Sequence, residues 1–509
     1  MDKRRIEYRS LSGTLWGGLS FLFNLAQVIL LVPYLLKYWG DYNYGIWLSV
    51  FAAYTIIQTI DTGHQAYIGN EINRLYHINK IELRRVLGSS ILIAFLLGLF
   101  QIFIAFFIIY SGIFAKMLGL VQFEIYSKNL HWGLISLLTM WLFVGSIGGI
   151  LAKLFIPVGK FSRSQRWGIA SRLIQFFCLV TTAFYNGGVF EACLYISISL
   201  VIYCLFLFKD LKKTIPEFFP WWEGGEITTG WRNLRKSVIL TFNGILTQLN
   251  QNGIIILISS ILNPAFVPAY TTLRTLANTA TQATSIILTP LIPDLVKFSV
   301  KKEGEKLNHT LQANWFVSGM LVNITIIILL PYFPNLYKFW TKGILEFNPP
   351  LFYLLIWGIS IVNYGSGFSA YLNGTNNLAA ITTISIAKIL ITFLGALFFL
   401  NFFGITVMGI LVVIAEIVSS IGLSFYFVNK QLRVMGNSIN KIQQFISLAP
   451  VVITGIIFLF SAFYVFNIYL LSYFGLILLF FVYFFQWKFL PNIVKEKFIN
   501  LLLTKLKFN

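Results

Sequence analysis

The sequence contains few charged residues. Asp, Glu, Lys and Arg make up 11% of the 509 residues, whereas they make up about 25% of an average soluble protein. The mean hydropathy is +0.77, and the deficit of charge extends along the whole chain. This composition excludes an ordinary soluble protein and predicts a polytopic membrane protein.

Histidine, cysteine and acidic residues are also scarce. The four histidines are scattered, and the three cysteines, Cys178, Cys193 and Cys204, do not have the spacing of a metal or redox motif. The sequence also lacks a glycine-rich phosphate loop, a nucleophile–base pair and an outside loop much longer than about fifteen residues. We therefore predict no metal site, no cofactor and no enzymatic activity.

The apolar residues occur in continuous runs of about twenty, which is the length of a transmembrane helix, whereas barrel strands are alternating segments of about ten. The sequence thus predicts an all-α polytopic membrane protein with about fourteen transmembrane helices. The runs are 11–36, 44–69, 87–113, 129–157, 168–187, 189–208, 237–262, 269–292, 313–333, 350–372, 378–400, 405–428, 447–467 and 470–487.

The placement of Lys and Arg predicts the orientation of the chain. If the N-terminus is cytoplasmic, 31 of the 38 Lys and Arg residues, Arg172 among them, are counted with cytoplasmic segments, and this bias predicts that both termini are cytoplasmic. The basic net charge of +20 then faces anionic lipid headgroups, so it does not indicate nucleic-acid binding. The cations on the outside are Lys37, Lys116, Lys128, Lys338 and Lys342.

A long connection near the middle of the chain predicts two halves. With an offset of 226 residues, Tyr44 aligns with Tyr270 and Asn24 aligns with Asn250, which indicates a parallel repeat of six helices. We therefore predict an N-terminal six-helix bundle (1–208), a cytoplasmic linker (209–236), a C-terminal six-helix bundle (237–428), and two further helices with a tail (429–509).

Polar residues recur at helical spacing inside several apolar runs, and such stripes must face protein or water because lipid cannot pair them. We predict that they line a substrate cavity. The candidate substrate-binding residues are Asn24, Gln27, Gln58, Asn250, Arg274, Asn278 and Lys388, and the candidate ion-coupling residues are Asp61 and Glu416.

Each candidate also has a structural interpretation. The amides and hydroxyls can hold neighbouring helices together by hydrogen bonds. Lys388 and Glu416 can pair with each other across two helices. Asp61 can mark a break in its helix at Thr62–Gly63 and bond to the backbone there, or it can neutralise Arg274.

Three segments resemble the bacterial polysaccharide flippases, which export O-antigen and capsule units and belong to the multidrug/oligosaccharidyl-lipid/polysaccharide exporter superfamily. The first two are VPYLLKYWGDYNYGIW (32–47) and IDTG (60–63) followed by YIGNEINRL (67–75), which are similar to the start of these proteins. The third, AYLNGTNNLAAITTISIAKIL (370–390), is similar to their junction between helices 10 and 11. The layout of six, six and two helices extends the resemblance over the whole chain.

The resemblance implies alternating access around a central cavity. It implies that the protein moves an oligosaccharide linked by pyrophosphate to undecaprenol from the cytoplasmic to the periplasmic leaflet of the bacterial inner membrane. The implied partners are this glycolipid, the bilayer, a coupling proton or sodium ion, a polysaccharide polymerase and a chain-length regulator. Arg and Lys suit the pyrophosphate, and Asn, Gln and aromatic rings suit the sugars.

Two other functions compete with a flippase. A multidrug or cation antiporter of the same superfamily would have about twelve helices and acidic residues in its cavity. An integral-membrane polysaccharide polymerase or glycosyltransferase would have a large outside loop or paired acidic residues at a membrane face.

Overall fold

The fold consists of α-helices in a computed structural model, which describes residues 3–120, 124–288, 292–439, 441–463 and 467–496. No strand occurs among these residues. The helices are α1 Lys3–Leu75, α2 Lys80–Tyr110, α3 Ile113–Met117, α4 Glu124–Trp141, α5 Gly148–Ala152, α6 Phe161–Phe184, α7 Val189–Thr214, α8 Ile227–Gln248, α9 Ile254–Ile261, α10 Phe266–Leu288, α11 Ile292–Val300, α12 Gly304–Leu329, α13 Phe333–Trp340, α14 Pro349–Gly374, α15 Leu378–Ile389, α16 Gly395–Phe403, α17 Val407–Glu416, α18 Ser424–Val434, α19 Lys441–Phe463 and α20 Ile468–Phe489.

The helices coincide with the apolar runs of the sequence. Over the described residues, nine helical stretches are long and apolar enough to cross a membrane. One of them, Leu378–Val434, has 57 residues and contains two of the predicted runs. The outward face of α2 exposes large apolar side chains such as Phe100, Phe103 and Phe107, which suits contact with lipid. The chain is thus an all-α, multi-pass membrane protein, and fourteen spans stay a prediction.

Helix α1 contains the first two predicted runs, joined at Gly40 without a loop. Gly40 has φ 70° and ψ −176°, a left-handed conformation that favours glycine, and this residue separates two helices. The second of these helices is regular as far as Leu75.

Four π-helical stretches, in each of which a turn is wider by one residue, interrupt long helices in the described part of the chain. These stretches are Leu142–Ile147 between α4 and α5, Leu249–Gly253 between α8 and α9, Leu390–Leu394 between α15 and α16, and Ile417–Leu423 between α17 and α18. Such bulges are rare and are frequently found at functional sites.

Close contacts divide the chain into two compact units. The first comprises 1–268 with 340–344, and the second comprises 269–339 with 345–509. In the first unit, α1 packs on α2, α6 and α8, and α4 packs on α7. The division into bundles at 208 and 237, which the sequence predicts, stays a prediction.

The second unit is built around α14, which is almost entirely buried. Helices α12, α17 and α19 pack on α14, and α20 packs on α12 and α19. Its aromatic core includes Trp315 and Tyr364, whose rings stack with centroids 5.2 Å apart, and Phe368. The two C-terminal helices are thus integral to this unit.

Candidate functional site

The carboxylate of Asp61 is completely buried in the first unit. The amide of Gln65 donates to Oδ2 at 3.0 Å, and the indole N–H of Trp141 donates to Oδ1 at 3.2 Å. The side chains of Ser146 and Gln101 also lie beside it. Among the described residues of this unit, no cation forms an ion pair with Asp61. The carboxylate is therefore held by neutral donors, which stabilise its charge less completely than a buried cation would.

Two glycines provide the space for these donors. A Cβ at Gly145 would lie 2.1 Å from the ring of Trp141, and a Cβ at Gly149 would lie 2.4 Å from Oε1 of Gln65. Both glycines lie in or just after the π-helical stretch 142–147. The absence of a Cβ at these two positions thus accommodates the side chains bonded to Asp61.

The structure excludes a helix break at Thr62–Gly63, because the helix of Asp61 continues through both residues. Gly63 instead allows α8 to approach, since a Cβ there would lie 2.2 Å from the backbone nitrogen of Thr241. One turn before Asp61, the carbonyl of Gln58 accepts a bond from Gln101 at 3.3 Å. Gln58 therefore belongs to the same polar cluster, and its role in substrate binding stays a prediction.

A second polar pair in the first unit joins Arg172 to Asn24. Nη1 of Arg172 donates to Oδ1 of Asn24 at 2.6 Å, and Nε donates to the carbonyl of Gly168 at 3.2 Å. Arg172 lies in the middle of α6, whereas the charge count from the sequence assigns it to a cytoplasmic segment. Position 172 within an apolar run was the signal that could have identified it as a cation in a membrane helix.

The other two candidates in the first unit lie on different helices. Gln27 is half-buried on α1, and Asn250 is half-buried in the π-helical stretch 249–253. Their predicted roles in substrate binding stay predictions.

Lys388 and Glu416 form an ion pair in the second unit. The hydroxyl of Ser420 donates to Oε2 of Glu416 at 2.7 Å, and Ser419 lies 3.4 Å from the same oxygen. Only 4% of the Glu416 side chain is exposed, against 27% of Lys388. The structural interpretation is thus observed for this pair. Lys388 lies two residues before the π-helical stretch 390–394, and Glu416 lies immediately before the stretch 417–423. Roles in substrate binding and ion coupling stay predictions.

The remaining candidates lie on α10, also in the second unit. The guanidinium of Arg274 lies over the ring of Tyr270 at 5.9 Å from its centroid. Asn278, one turn later, is half-buried. An interaction between Arg274 and Asp61 stays a prediction.

The fold is similar to several solved structures, although no protein-family model and no curated protein matches the sequence. The lipid II flippase MurJ, in an inward closed conformation, superposes with a TM-score of 0.64 at 13% identity, covering 96% of this chain and 100% of that one. An inward-facing multidrug resistance transporter of the MATE family superposes with a TM-score of 0.62 at 16% identity, covering 82% and 95%. A MOP-superfamily transporter from Pyrococcus furiosus superposes with a TM-score of 0.51 at 14% identity, covering 85% and 96%.

These similarities show that the chain shares the fold of those transporters, and they confirm the predicted all-α membrane fold class. At 13–16% identity they carry no assignment of substrate.

Proposed function

We propose that the protein is a flippase for undecaprenyl-pyrophosphate-linked oligosaccharides in the bacterial inner membrane, with both termini cytoplasmic. The observation that carries this proposal is the cation of Arg172 inside a membrane helix. Among the described residues, it bonds to a neutral amide and a carbonyl, and no carboxylate pairs with it. A guanidinium has five N–H donors in a planar fork that matches phosphate oxygens.

The buried charges of the second unit do not carry the proposal. The positive charge of Lys388 is compensated by Glu416, so Lys388 is a weaker candidate for the pyrophosphate than Arg172. Asp61 is the better candidate for coupling, because the described residues around it supply only neutral donors. Protonation or cation binding at Asp61 would then change with the state of the transporter.

The extent of structural similarity supports a lipid flippase over the multidrug antiporter, which is the second candidate. The superposition with the lipid II flippase covers 96% of this chain, and those with the MATE transporter and the Pyrococcus furiosus protein cover 82% and 85%. The antiporter remains the appropriate comparison because it shares the fold and because a buried carboxylate such as Asp61 could serve cation exchange.

The test is movement of glycolipid in reconstituted vesicles. Undecaprenyl-pyrophosphate carrying a labelled oligosaccharide should become accessible to an external lectin in vesicles with the wild-type protein, and ethidium should not accumulate or be expelled. Arg172→Ala should reduce the rate at least tenfold, whereas Arg433→Ala, at an exposed position of α18, should leave it unchanged. Ethidium movement without glycolipid movement would favour the antiporter.

A further inference from the structure

A partly open cavity of about 320 Å³ lies within the first unit, between the second half of α1 and helices α4 to α7. This volume is at the lower end of the range for small-molecule sites, about 300–1,000 Å³. A single ring-sized group therefore suits it better than a whole glycolipid. Its walls are mainly apolar, and they include the aromatic rings of Tyr54, Trp141, Trp167 and Tyr203.

The two indole rings of the cavity are held in place by carboxylates behind them. The N–H of Trp141 donates to Asp61 at 3.2 Å, and that of Trp167 donates to Asp210 at 2.8 Å. Asp210 is in turn held by Arg163, whose Nε donates to it at 2.8 Å. These bonds use the polar N–H edge of each indole, so neither ring presents an unpaired indole donor to the cavity.

A second contact orients Trp167. The hydroxyl of Tyr203 donates to the carbonyl of Trp167 at 2.9 Å, and the two rings meet edge to face with centroids 5.3 Å apart. The aromatic wall is thus positioned by the protein before any ligand arrives. Preorganisation of this kind reduces the entropic cost of binding.

The polar groups of the cavity wall are neutral. They are amides and hydroxyls, including Gln65, Gln175 and Ser171, and the described residues that line the cavity include no Asp, Glu, Lys or Arg. A pyrophosphate would find no cation on this surface, and burying such a charge unpaired is costly. A neutral ring with apolar C–H faces and hydroxyl edges matches both the aromatic faces and the amides.

We propose that this cavity binds one neutral sugar ring of the transported oligosaccharide, with the C–H face of the ring packed on the indole of Trp167. The proposal rests on the proposed function, because the sugar belongs to the substrate of the flippase. It assigns the recognition of the glycan to the first unit and to groups separate from Arg172.

The probes are methyl β-glycosides of N-acetylglucosamine, galactose and rhamnose, mixed in turn with the full-length protein in nanodiscs. Saturation-transfer NMR should show transfer to the ring C–H protons of at least one glycoside. Trp167→Leu should reduce this signal at least fivefold. Trp132→Leu, which removes an exposed tryptophan outside the cavity, should leave it unchanged.

Gly168→Leu is a second variant that should fold. Gly168 lines the cavity, and a Cβ there meets only the end of the flexible Arg172 side chain, at 3.6 Å. Leucine is also a better helix former than glycine. The added side chain should fill the cavity and reduce the glycoside signal at least fivefold. No signal with any probe, or an equal signal in wild type, Trp167→Leu and Gly168→Leu, would overturn the proposal.

The vesicle assay separates this inference from the proposed function. Glycolipid movement by a wild-type protein that binds no glycoside would eliminate the sugar site and leave the flippase. Glycoside binding that both cavity variants abolish, in a protein that moves no glycolipid, would eliminate the flippase and leave a sugar site with another purpose.

Discussion

The two units stabilise a buried carboxylate with different groups. In the first unit, the described surroundings of Asp61 stabilise it with the neutral N–H groups of Gln65 and Trp141. In the second unit, Glu416 has a cation of the same chain, Lys388, together with the hydroxyl of Ser420. The comparison is informative because both carboxylates adjoin a π-helical stretch and almost no part of either is exposed.

The difference predicts different roles. A carboxylate with a built-in counter-ion has little need of a mobile cation, so Glu416 should act mainly on stability. A carboxylate held by neutral donors changes its free energy strongly when a proton or cation arrives, so Asp61 should act mainly on transport. The sequence-based prediction that both residues are ion-coupling stays a prediction, and the variants below separate the two roles.

The largest expected effect is on stability, from breaking the ion pair in the second unit. Lys388→Met should lower the free energy of unfolding by about 3–5 kcal/mol, because it leaves the charge of Glu416 buried and unpaired. Thermal unfolding in detergent measures the loss. The double variant Lys388→Met with Glu416→Gln should recover most of it. A single variant as stable as the wild type would show that the pair is not structural.

The next effect is on transport and comes from Asp61→Asn. Asparagine keeps the size of the side chain and one oxygen acceptor, so stability should change by only about 1 kcal/mol. Glycolipid movement should lose its dependence on an imposed proton or sodium gradient, because the group can no longer change charge. Near-normal, gradient-dependent movement by this variant would exclude Asp61 as the coupling residue.

A smaller effect should follow from Gly149→Ala. The added Cβ would lie 2.4 Å from Oε1 of Gln65, so that amide must shift from its position beside Asp61. We expect a loss of about 1 kcal/mol in stability and a glycolipid rate reduced severalfold. The matched control is Gly422→Ala, whose Cβ would make an ordinary contact at 3.6 Å and should change the rate by less than twofold. Equal rates in both variants would argue against the role of Gly149.

The smallest effect concerns the ion pair between Arg85 and Glu226, whose side chains, unlike those of Asp61 and Glu416, are exposed. Hydrogen bonds from Arg85 and Thr229 lower the pKa of Glu226 below its ordinary value of 4.5. A carboxylate whose pKa is lowered on folding stabilises the folded state at any pH above its ordinary pKa. That stabilisation is lost as the pH falls through the lowered pKa. Amide exchange of residues 217–230, corrected for intrinsic rates, should therefore be equal at pH 7 and pH 5.5 and faster at pH 3.

Glu226→Gln is the matched variant for this pH effect. It should remove most of the difference between pH 5.5 and pH 3, because the group can no longer titrate. A difference of the same size in the variant would assign the pH effect to other carboxylates.

The fold class could be predicted because the apolar runs and their lengths follow directly from the need to satisfy every backbone group within lipid. The presence of Asp61, Lys388 and Glu416 in membrane helices also follows from the runs alone. The partners of these residues cannot be predicted from the runs. Trp141, for example, is 80 positions from Asp61 in sequence, and only the packing of the helices brings the two together. The sequence does not distinguish Trp141 from the other twelve of its thirteen tryptophans.

The sequence did not identify Arg172 as a candidate site residue, for a different reason. The sequence RSQRWGIASR places three arginines in the first half of α6, with Arg172 at its middle, and such a cluster is usually solvated. Whether the last of them lies inside or outside the membrane depends on where α6 begins, and helix boundaries are the least certain part of any sequence reading. The pairing with Asn24 then required the packing of α6 on α1.

The π-helical stretches have a consequence for how chains of this fold differ in length. Each contains one residue more than a regular turn, so a single deletion there restores an α-helix and keeps the membrane span intact. The wide turn absorbs the extra residue, so the helix on either side of the stretch keeps its orientation when that residue is removed. Removal of one residue from 142–147 would thus narrow the turn beside Asp61 and leave Gly149 and the residues after it on the same face of the helix. An alignment that permits no gaps inside membrane helices would misplace residues beyond each π-helical stretch of the described chain.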